Sequence, residues 1–273
     1  MLLEGAIGLY DFKKNTGACM ASKESTQSYY HAHESAYQQI KDKGYFGWGN
    51  AKSLEDLSDR NTKNYLSKTI EKLFSTCVGK KALDLGCGTG ATAFEFARMG
   101  FDTFAVDISE TAIHMAKELA AKQNLKVNFS VTDVLNLKSL NQEFDFIYDS
   151  HLLHCIVFDE DRRQLYQGVK DTLATNGLFI LDTMVDAGRS FDLTQGIDSL
   201  KFDQDYILWH KTRPSKDYGV IEIDGQHWCA QRRVYPIEKV LSEVESTGFI
   251  IIEKQIDHQE NKPSMLRMVL RRI

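Results

Sequence analysis

The chain has 273 residues, 42% of them hydrophobic and 26% charged, which suits a soluble globular protein of one large domain or one domain with an elaborated cap. Lys and Arg number 33 against 38 Asp and Glu, and the net charge of -5 offers no broad attraction to phosphate backbones or acidic membranes. Nucleic acid is therefore not an expected partner.

The stretch MLLEGAIGLYDFKKN has neither the basic start nor the long apolar core of a signal peptide, and nothing later approaches the roughly 18 apolar residues of a membrane span. A cytoplasmic protein without a membrane partner is expected. Cys19, Cys77, Cys87, Cys155 and Cys229 are widely spaced and contain no C-x-x-C pair, so all are read as reduced thiols.

Residues 1–50 form an aromatic and helical cap. Ser25–Asp42 can be helical, with Tyr30, Tyr37 and Ile40 on one side, and the glycine-punctuated GYFGWG places Tyr45, Phe46 and Trp48 in a loop. These rings either cover an edge of the main domain or form a lid over a ligand. Ser53 and Asp56 give a weakened capping box, after which Leu66, Ile70 and Leu73 keep helical spacing to about Cys77.

Ala82, Leu83 and Leu85 then make the apolar run of a buried strand, which stops at Gly86, Gly88 and Gly90 before a helix over Ala91–Met99. Phe101–Val106 is a second strand ending in Asp107, and Ala112, Ile113, Ala116, Leu119 and Ala120 give the next helical face. Val127–Val131 is a third strand ending at Asp133, Phe144–Asp149 a fourth, Arg162–Leu173 a helix and Leu178–Asp182 a fifth strand.

This alternation predicts a parallel sheet with helices on both faces and ligands at the carboxyl ends of the strands. Residues 186–235 break the rhythm with the β-rich stretches Tyr206–His210, Tyr218–Asp224 and His227–Val234, the last two joined at Asp224-Gly225, a hairpin signal. They are read as an inserted antiparallel flap. Pro236–Thr247 is a helix stopped by Gly248, and Phe249–Ile256 and Met265–Arg271 close the chain as two antiparallel strands.

The strand, glycine turn and helix of ALDLGCGTGA suit a polar ligand with a nucleoside or anionic group, because glycines allow close approach and the helix start offers N–H donors. GCGTGA also satisfies G-x-G-x-x-A with Asp107 about 20 residues on, which leaves an NAD-dependent oxidoreductase open.

The whole arrangement resembles the class I S-adenosylmethionine-dependent methyltransferases. The resemblance rests on DLGCGTG after the first strand, acidic residues closing the second and third, FDFIYDSHLLH for the fourth, and the closing helix and hairpin. It covers about Thr69 to the carboxyl terminus, apart from the insertion, and implies an α/β three-layer sandwich. That fold has a mostly parallel seven-stranded sheet with an antiparallel C-terminal strand, built from residues 51–185 and 236–273.

The resemblance implies S-adenosyl-L-methionine as cofactor, with S-adenosyl-L-homocysteine as product. Asp84 and the backbone of Gly86, Cys87, Gly88 and Gly90 would hold the methionine end. Asp107 would accept both ribose hydroxyls, Ile108 would pack on the adenine, and Asp133 with the Val134 N–H would read its edge. Asp149, Ser150, His151 and His154 stand where the family places groups facing the cofactor and its methyl. Asp149, His151 and His154 are the catalytic candidates, and His151 is preferred as a base because it lies at a strand end.

H-x-x-H lacks a third ligand, so no metal is expected. Tyr30 and Trp48 of the cap, with Trp209, His227 and Arg232 of the flap, are candidates for contacting a small-molecule acceptor. A module that binds the cofactor without turnover is the non-enzymatic alternative.

Overall fold

The computed structural model describes residues 28–57, 60–188, 194, 197–216, 218–260 and 262–273, apart from the side chains of Ser28, Tyr29 and Ser150. The expectations for residues 1–27, including Cys19 and the first turn of the cap helix, lie outside them. The chain runs α1 (Ser28–Asp42), α2 (Arg60–Leu73), β1 (Lys81–Leu85), α3 (Ala91–Met99), β2 (Asp102–Asp107), α4 (Glu110–Lys122), β3 (Asn128–Val131) and β4 (Phe144–Ser150). It continues through α5 (Asp159–Thr172), β5 (Leu173–Val185), β6 (Leu200–Phe202), β7 (Ile207–Thr212), β8 (Val220–Ile223), β9 (Gln226–Arg233), α6 (Ile237–Ser246), β10 (Phe249–Asp257) and β11 (Ser264–Arg272).

A seven-stranded sheet has the order β10-β11-β5-β4-β1-β2-β3, and a four-stranded sheet the order β6-β7-β9-β8. β1 with β2, β2 with β3 and β4 with β5 are parallel, whereas β11 is antiparallel to both β5 and β10. This is the expected mostly parallel α/β sheet with an antiparallel strand near the carboxyl terminus. No helix among the described residues is long and apolar enough to cross a membrane.

The chain divides into two compact units, Ala32–Val134 and, with residues 28–31, Leu135–Ile273. In the first, Ala82, Leu83 and Leu85 of β1 are wholly buried. α3 packs on β1 and β2, and α4 on β2 and β3. α3 ends where Gly100 adopts φ 95 and returns its N–H to the Ala97 and Phe96 carbonyls, a left-handed cap that only glycine adopts cheaply. α4 starts at Ser109, whose Oγ accepts the Ala112 N–H, and buries Ala112, Ile113, Met115, Ala116, Leu119 and Ala120. Tyr37 and Ile40 of α1 pack on Ala112 and Met115 of that helix.

The capping box forms but starts a different element. The Ser53 N–H donates to Asp56 at 3.0 Å and the Asp56 N–H to Ser53 Oγ at 3.3 Å, closing the 3-10 turn Glu55–Leu57, while α2 begins only at Arg60 and ends at Leu73.

In the second unit the flap is antiparallel as expected, with the added strand β6 paired to β7. Its β8–β9 hairpin turns through Asp224 at φ 52 and Gly225 at φ 71, the double left-handed pair that a two-residue loop needs. β5 is longer than expected because Leu173 already pairs with Phe144 across a register shift in β4. Pro236 precedes α6 as its N-cap rather than occupying the first turn. Arg162 of α5, 2% exposed, donates from Nε and Nη2 to the two Glu243 oxygens of α6.

Candidate active site

The glycine turn hangs on the end of the β1–β2 ladder. The Cys87 N–H donates to the Val106 carbonyl at 2.9 Å, one step past the last β1 pair. Gly86, Gly88 and Gly90 all have positive φ, at 64, 53 and 93. At Gly88 a Cβ would lie 2.3 Å from Tyr37 Oη, and at Gly90 2.9 Å from the Phe94 ring. Protein side chains thus take up part of the close approach that the sequence reading attributed to ligand. The Cys87 thiol is buried, and burial followed by the nearby Asp107 and Asp84 charges pushes it well up, so it is an inert small residue here.

Asp107 closes β2 with 6% exposure. Its Oδ2 accepts the Gly88 N–H at 2.8 Å and its Oδ1 the Ser109 N–H at 2.9 Å. A carboxylate has about four lone-pair sites, and these two bonds use one on each oxygen. Burial outweighs the Ser109 and Gly88 donors, and with the added charge of Glu34 it pushes Asp107 up to about 6. Each oxygen keeps spare acceptor capacity, which two hydroxyl donors could use.

Asp84 is fully buried in β1, Ile108 is half-buried after Asp107, and Asp133 lies half-buried after β3 with Val134 buried behind it. Asp84, Asp107 and Asp133 thus fall at the carboxyl ends of three neighbouring parallel strands.

One residue beyond the sequence reading, Glu34, ties α1 to this corner. Glu34, 8% exposed, accepts from Ser109 Oγ at 2.7 Å, from the Thr111 N–H at 3.2 Å and from Thr111 Oγ1. Burial alone would raise Glu34, but the Thr111 and Ser109 donors hold it below the usual carboxylate range. Trp48 Nε1 donates to Tyr37 Oη at 2.6 Å with the rings edge to face, centroids 5.5 Å apart.

In the second unit, Asp149 is wholly buried and receives the Leu152 N–H at 2.7 Å on Oδ1 and the Leu153 N–H at 2.9 Å on Oδ2. Burial pushes it up to about 7 against the Leu152 bond, with the Asp182 charge adding to the rise. This clamp folds the chain after β4 and holds His151 at φ 62, a left-handed conformation costly for a residue with a Cβ. His151 Nε2 lies 3.2 Å from Asp182 Oδ2, and its side chain is 41% exposed.

The Ala82–Gly177 stretch matches the methyltransferase domain family over residues 82–177. Over 200 residues the chain is 23% identical to a protein of Geobacillus sp. (strain WCH70) described as a methyltransferase, covering 68% of this chain and 80% of that one. Over 73 residues it is 41% identical to the 2-heptyl-1-hydroxyquinolin-4(1H)-one methyltransferase of Mycobacteroides abscessus, covering 26% of this chain and 32% of that relative.

Residues 82–177 carry a methyltransferase domain, and the fold is that of the class I S-adenosylmethionine-dependent methyltransferases. Its fold is shared with the 1,6-didemethyltoxoflavin-N1-methyltransferase of Burkholderia thailandensis, solved with 1,6-didemethyltoxoflavin and S-adenosylhomocysteine. That likeness has a TM-score of 0.59 at 15% identity and covers 94% of this chain and 92% of that one. The oxidoreductase alternative for the glycine turn falls with this assignment.

The remaining candidates each have partners close by in the fold. His154 is 3% exposed, and its Nδ1 accepts the Met184 N–H at 3.3 Å. β4 stops opposite Asp182 while β5 continues to Val185, and His154 caps part of that unpaired edge, which suits packing rather than base chemistry. Trp209 belongs to the flap sheet. It is 5% exposed, lies in the flap core with Val157, Ile207 and Ala230, and donates from Nε1 to Asp203 Oδ2 at 2.6 Å.

Arg232 donates from Nη1 to Cys155 Sγ at 2.8 Å, and His227 lies 3.8 Å from Glu222 across the hairpin. Tyr30 is half-buried, its ring edge to face with His31. Cys77, Cys87, Cys155 and Cys229 are free thiols, and no cluster of three His, Cys, Asp or Glu suited to a metal occurs among the described residues.

Proposed function

We propose that the protein transfers a methyl group from S-adenosyl-L-methionine to a small organic acceptor, with the cofactor's ribose on Asp107. The buried Asp107 carboxylate beside the positive-φ glycine turn carries this reading. It has the charge and the spare acceptor capacity for a vicinal diol. Asp84 would reach the methionine amino group, Ile108 would cover an adenine face, and Asp133 with the Val134 N–H would pair with the adenine edge.

When bound, the cofactor supplies a methyl group on a sulfonium whose charge disappears on transfer. The protein's work is then mainly alignment, which contributes up to roughly 7–11 kcal/mol in well-oriented reactions. The small-molecule acceptor is supported by the quinolone for which the Mycobacteroides relative is named, and by the net charge of -5, which disfavours nucleic acid. Trp48 and Tyr30 of the cap and Arg232 and His227 of the flap are the candidates for contacting the acceptor.

Calorimetry with S-adenosylhomocysteine, together with S-adenosylhomocysteine release over a panel of small acceptors, tests the proposal. Binding with turnover supports it. Absence of binding contradicts it, and binding without turnover over the panel favours the non-catalytic module.

A further inference from the structure

Asp107 is aimed by two backbone donors, and α1 stands behind both of them. The Ser109 N–H reaches Asp107 Oδ1 at 2.9 Å and the Gly88 N–H reaches Oδ2 at 2.8 Å. Behind the first donor, Ser109 Oγ lies 2.7 Å from Glu34 Oε2; against the second, a Cβ on Gly88 would collide with Tyr37 Oη. Glu34 and Tyr37 are three residues apart on α1 and so share one face of that helix.

Ser109 has no polar group left over. Its N–H goes to Asp107, its Oγ accepts the Ala112 N–H at 3.0 Å, its carbonyl accepts the Ile113 N–H at 3.1 Å, and its hydroxyl proton goes to Glu34. The direction of that last bond is fixed. Burial would raise Glu34, but the Thr111 and Ser109 donors keep it ionised, and an ionised carboxylate can only accept. Glu34, Ser109 and Asp107 are all buried, so the relay from one carboxylate to the other lies out of water.

Packing alone does not call for this arrangement. Tyr37 and Ile40 already seat α1 on Ala112 and Met115, and a buried carboxylate is costly unless donors surround it. Glu34 also adds its charge to the rise that burial causes in Asp107. The loop after α1 returns to the same turn, where Trp48 Nε1 donates to Tyr37 Oη at 2.6 Å and a Cβ on Gly47 would lie 2.8 Å from Thr89 Oγ1.

We infer that Glu34 is a positioning residue for the cofactor's ribose: through Ser109 it fixes a donor that orients Asp107, so docking of α1 and binding of the ribose diol are coupled. This rests on the methyltransferase reading and involves the unit Ala32–Val134 alone. With Glu34 in place, the Ser109 hydroxyl is spent on Glu34 and not on Asp107, whose remaining lone pairs stay open to two ribose hydroxyls. Without Glu34 the hydroxyl is released to turn, and the start of α4 loses its anchor to α1. Coupling of this kind is reciprocal, so whatever α1 adds to ribose binding, the ribose returns to the docking of α1.

Two measurements test this. In the first, calorimetry compares S-adenosylhomocysteine with its 2′-deoxy analogue at a temperature where every variant is folded. Wild type should prefer the intact ribose by roughly 10-fold or more, the effect of one hydrogen bond to an ionised group. In Glu34→Ala that preference should shrink by about threefold or more, as for residues coupled in one network. Ser109→Ala keeps the N–H on Asp107 but severs the relay, so it should give the same loss, and the double variant no further loss. A helix-holding role weakens both ligands alike; an unchanged preference in Glu34→Ala, or losses that add in the double variant, overturns the inference and leaves the methyltransferase reading standing. Absence of S-adenosylhomocysteine binding in wild type removes that reading itself, and equal binding of the two ligands removes Asp107 from the ribose, with this inference in either case.

In the second, amide exchange over residues 32–42 of wild type is followed with each ligand at saturation. S-adenosylhomocysteine should slow it by about threefold or more, and the 2′-deoxy analogue by less. Exchange that ignores both ligands, or responds equally to them, overturns the inference even if neither variant folds.

Discussion

Replacing Asp107 with Ala removes the acceptor proposed for both ribose hydroxyls while leaving β2 and the glycine turn in sequence. Hydrogen bonds to an ionised group contribute roughly 1.5–3 kcal/mol each, so two at the lower figure give about 3 kcal/mol, or roughly 100-fold in Kd. Asp107→Asn keeps one acceptor oxygen and should lose about 10-fold. Both variants also strip an acceptor from the Gly88 or Ser109 N–H, so affinity is compared at a temperature where thermal scans show each to be folded.

Calorimetry with S-adenosylhomocysteine over pH 5 to 8 adds a second signature. The diol needs the ionised carboxylate, and Asp107 sits at about 6 without ligand, so wild-type affinity should be flat above that pH. Below it, affinity should fall about tenfold per pH unit, whereas the Asn variant should show no such break. An Ala variant that binds within threefold of wild type, or a wild-type affinity unchanged down to pH 5, would refute the role.

Stability should respond to pH in the opposite sense. Asp107 and Asp149 are raised in the folded protein to about 6 and about 7, so between the unfolded carboxylate value near 3.8 and those points the native state holds protons that the unfolded chain has released. Stability is therefore lost as pH rises through that window, by about 1.4 kcal/mol per unit for each proton, and Tm should climb by a few degrees from pH 8 to 6. Asp149→Asn should flatten that climb in a thermal scan. An unchanged slope contradicts the assignment.

Gly88→Ala forces a Cβ into a left-handed position and against Tyr37 Oη, and should cost about 2 kcal/mol or more by urea unfolding. Adding Tyr37→Phe should recover part of that loss, and an additive double-mutant cycle would contradict the packing. Glu34→Ala leaves the Ser109 and Thr111 donors unsatisfied, so amide exchange across Ser28–Asp42 should accelerate while exchange in β1 stays as in wild type. Unchanged exchange in the helix would remove Glu34 as its anchor.

The cofactor half was legible because its signal is local. Strand, glycine turn and helix occupy consecutive residues, and each acidic residue closes its own strand, so 82–134 could be read from period and punctuation alone. The contacts of Asp182 and of Glu34 are not local. Asp182 lies 31 residues from His151 and 85 from Arg267, and Glu34 lies 75 from Ser109, separations that become contacts only through strand order and helix packing.

Composition also says little about a residue's surroundings at particular positions. Trp209 and His154 carry suggestive chemistry, yet one closes the flap core and the other caps a strand edge. The Ser53–Asp56 box formed as written but started a single 3-10 turn, since a capping motif marks a start and says nothing about the length that follows. His151 was favoured for its place at a strand end, but the feature that distinguishes it from His154, a buried carboxylate on its ring, had no sequence signature.

The most direct measurement is the electron density of a crystal grown with S-adenosylhomocysteine. The account predicts the ribose hydroxyls on the two oxygens of Asp107 and the methionine end at the glycine turn from Gly86 to Gly90. A nucleoside bound without contact to Asp107 would contradict it.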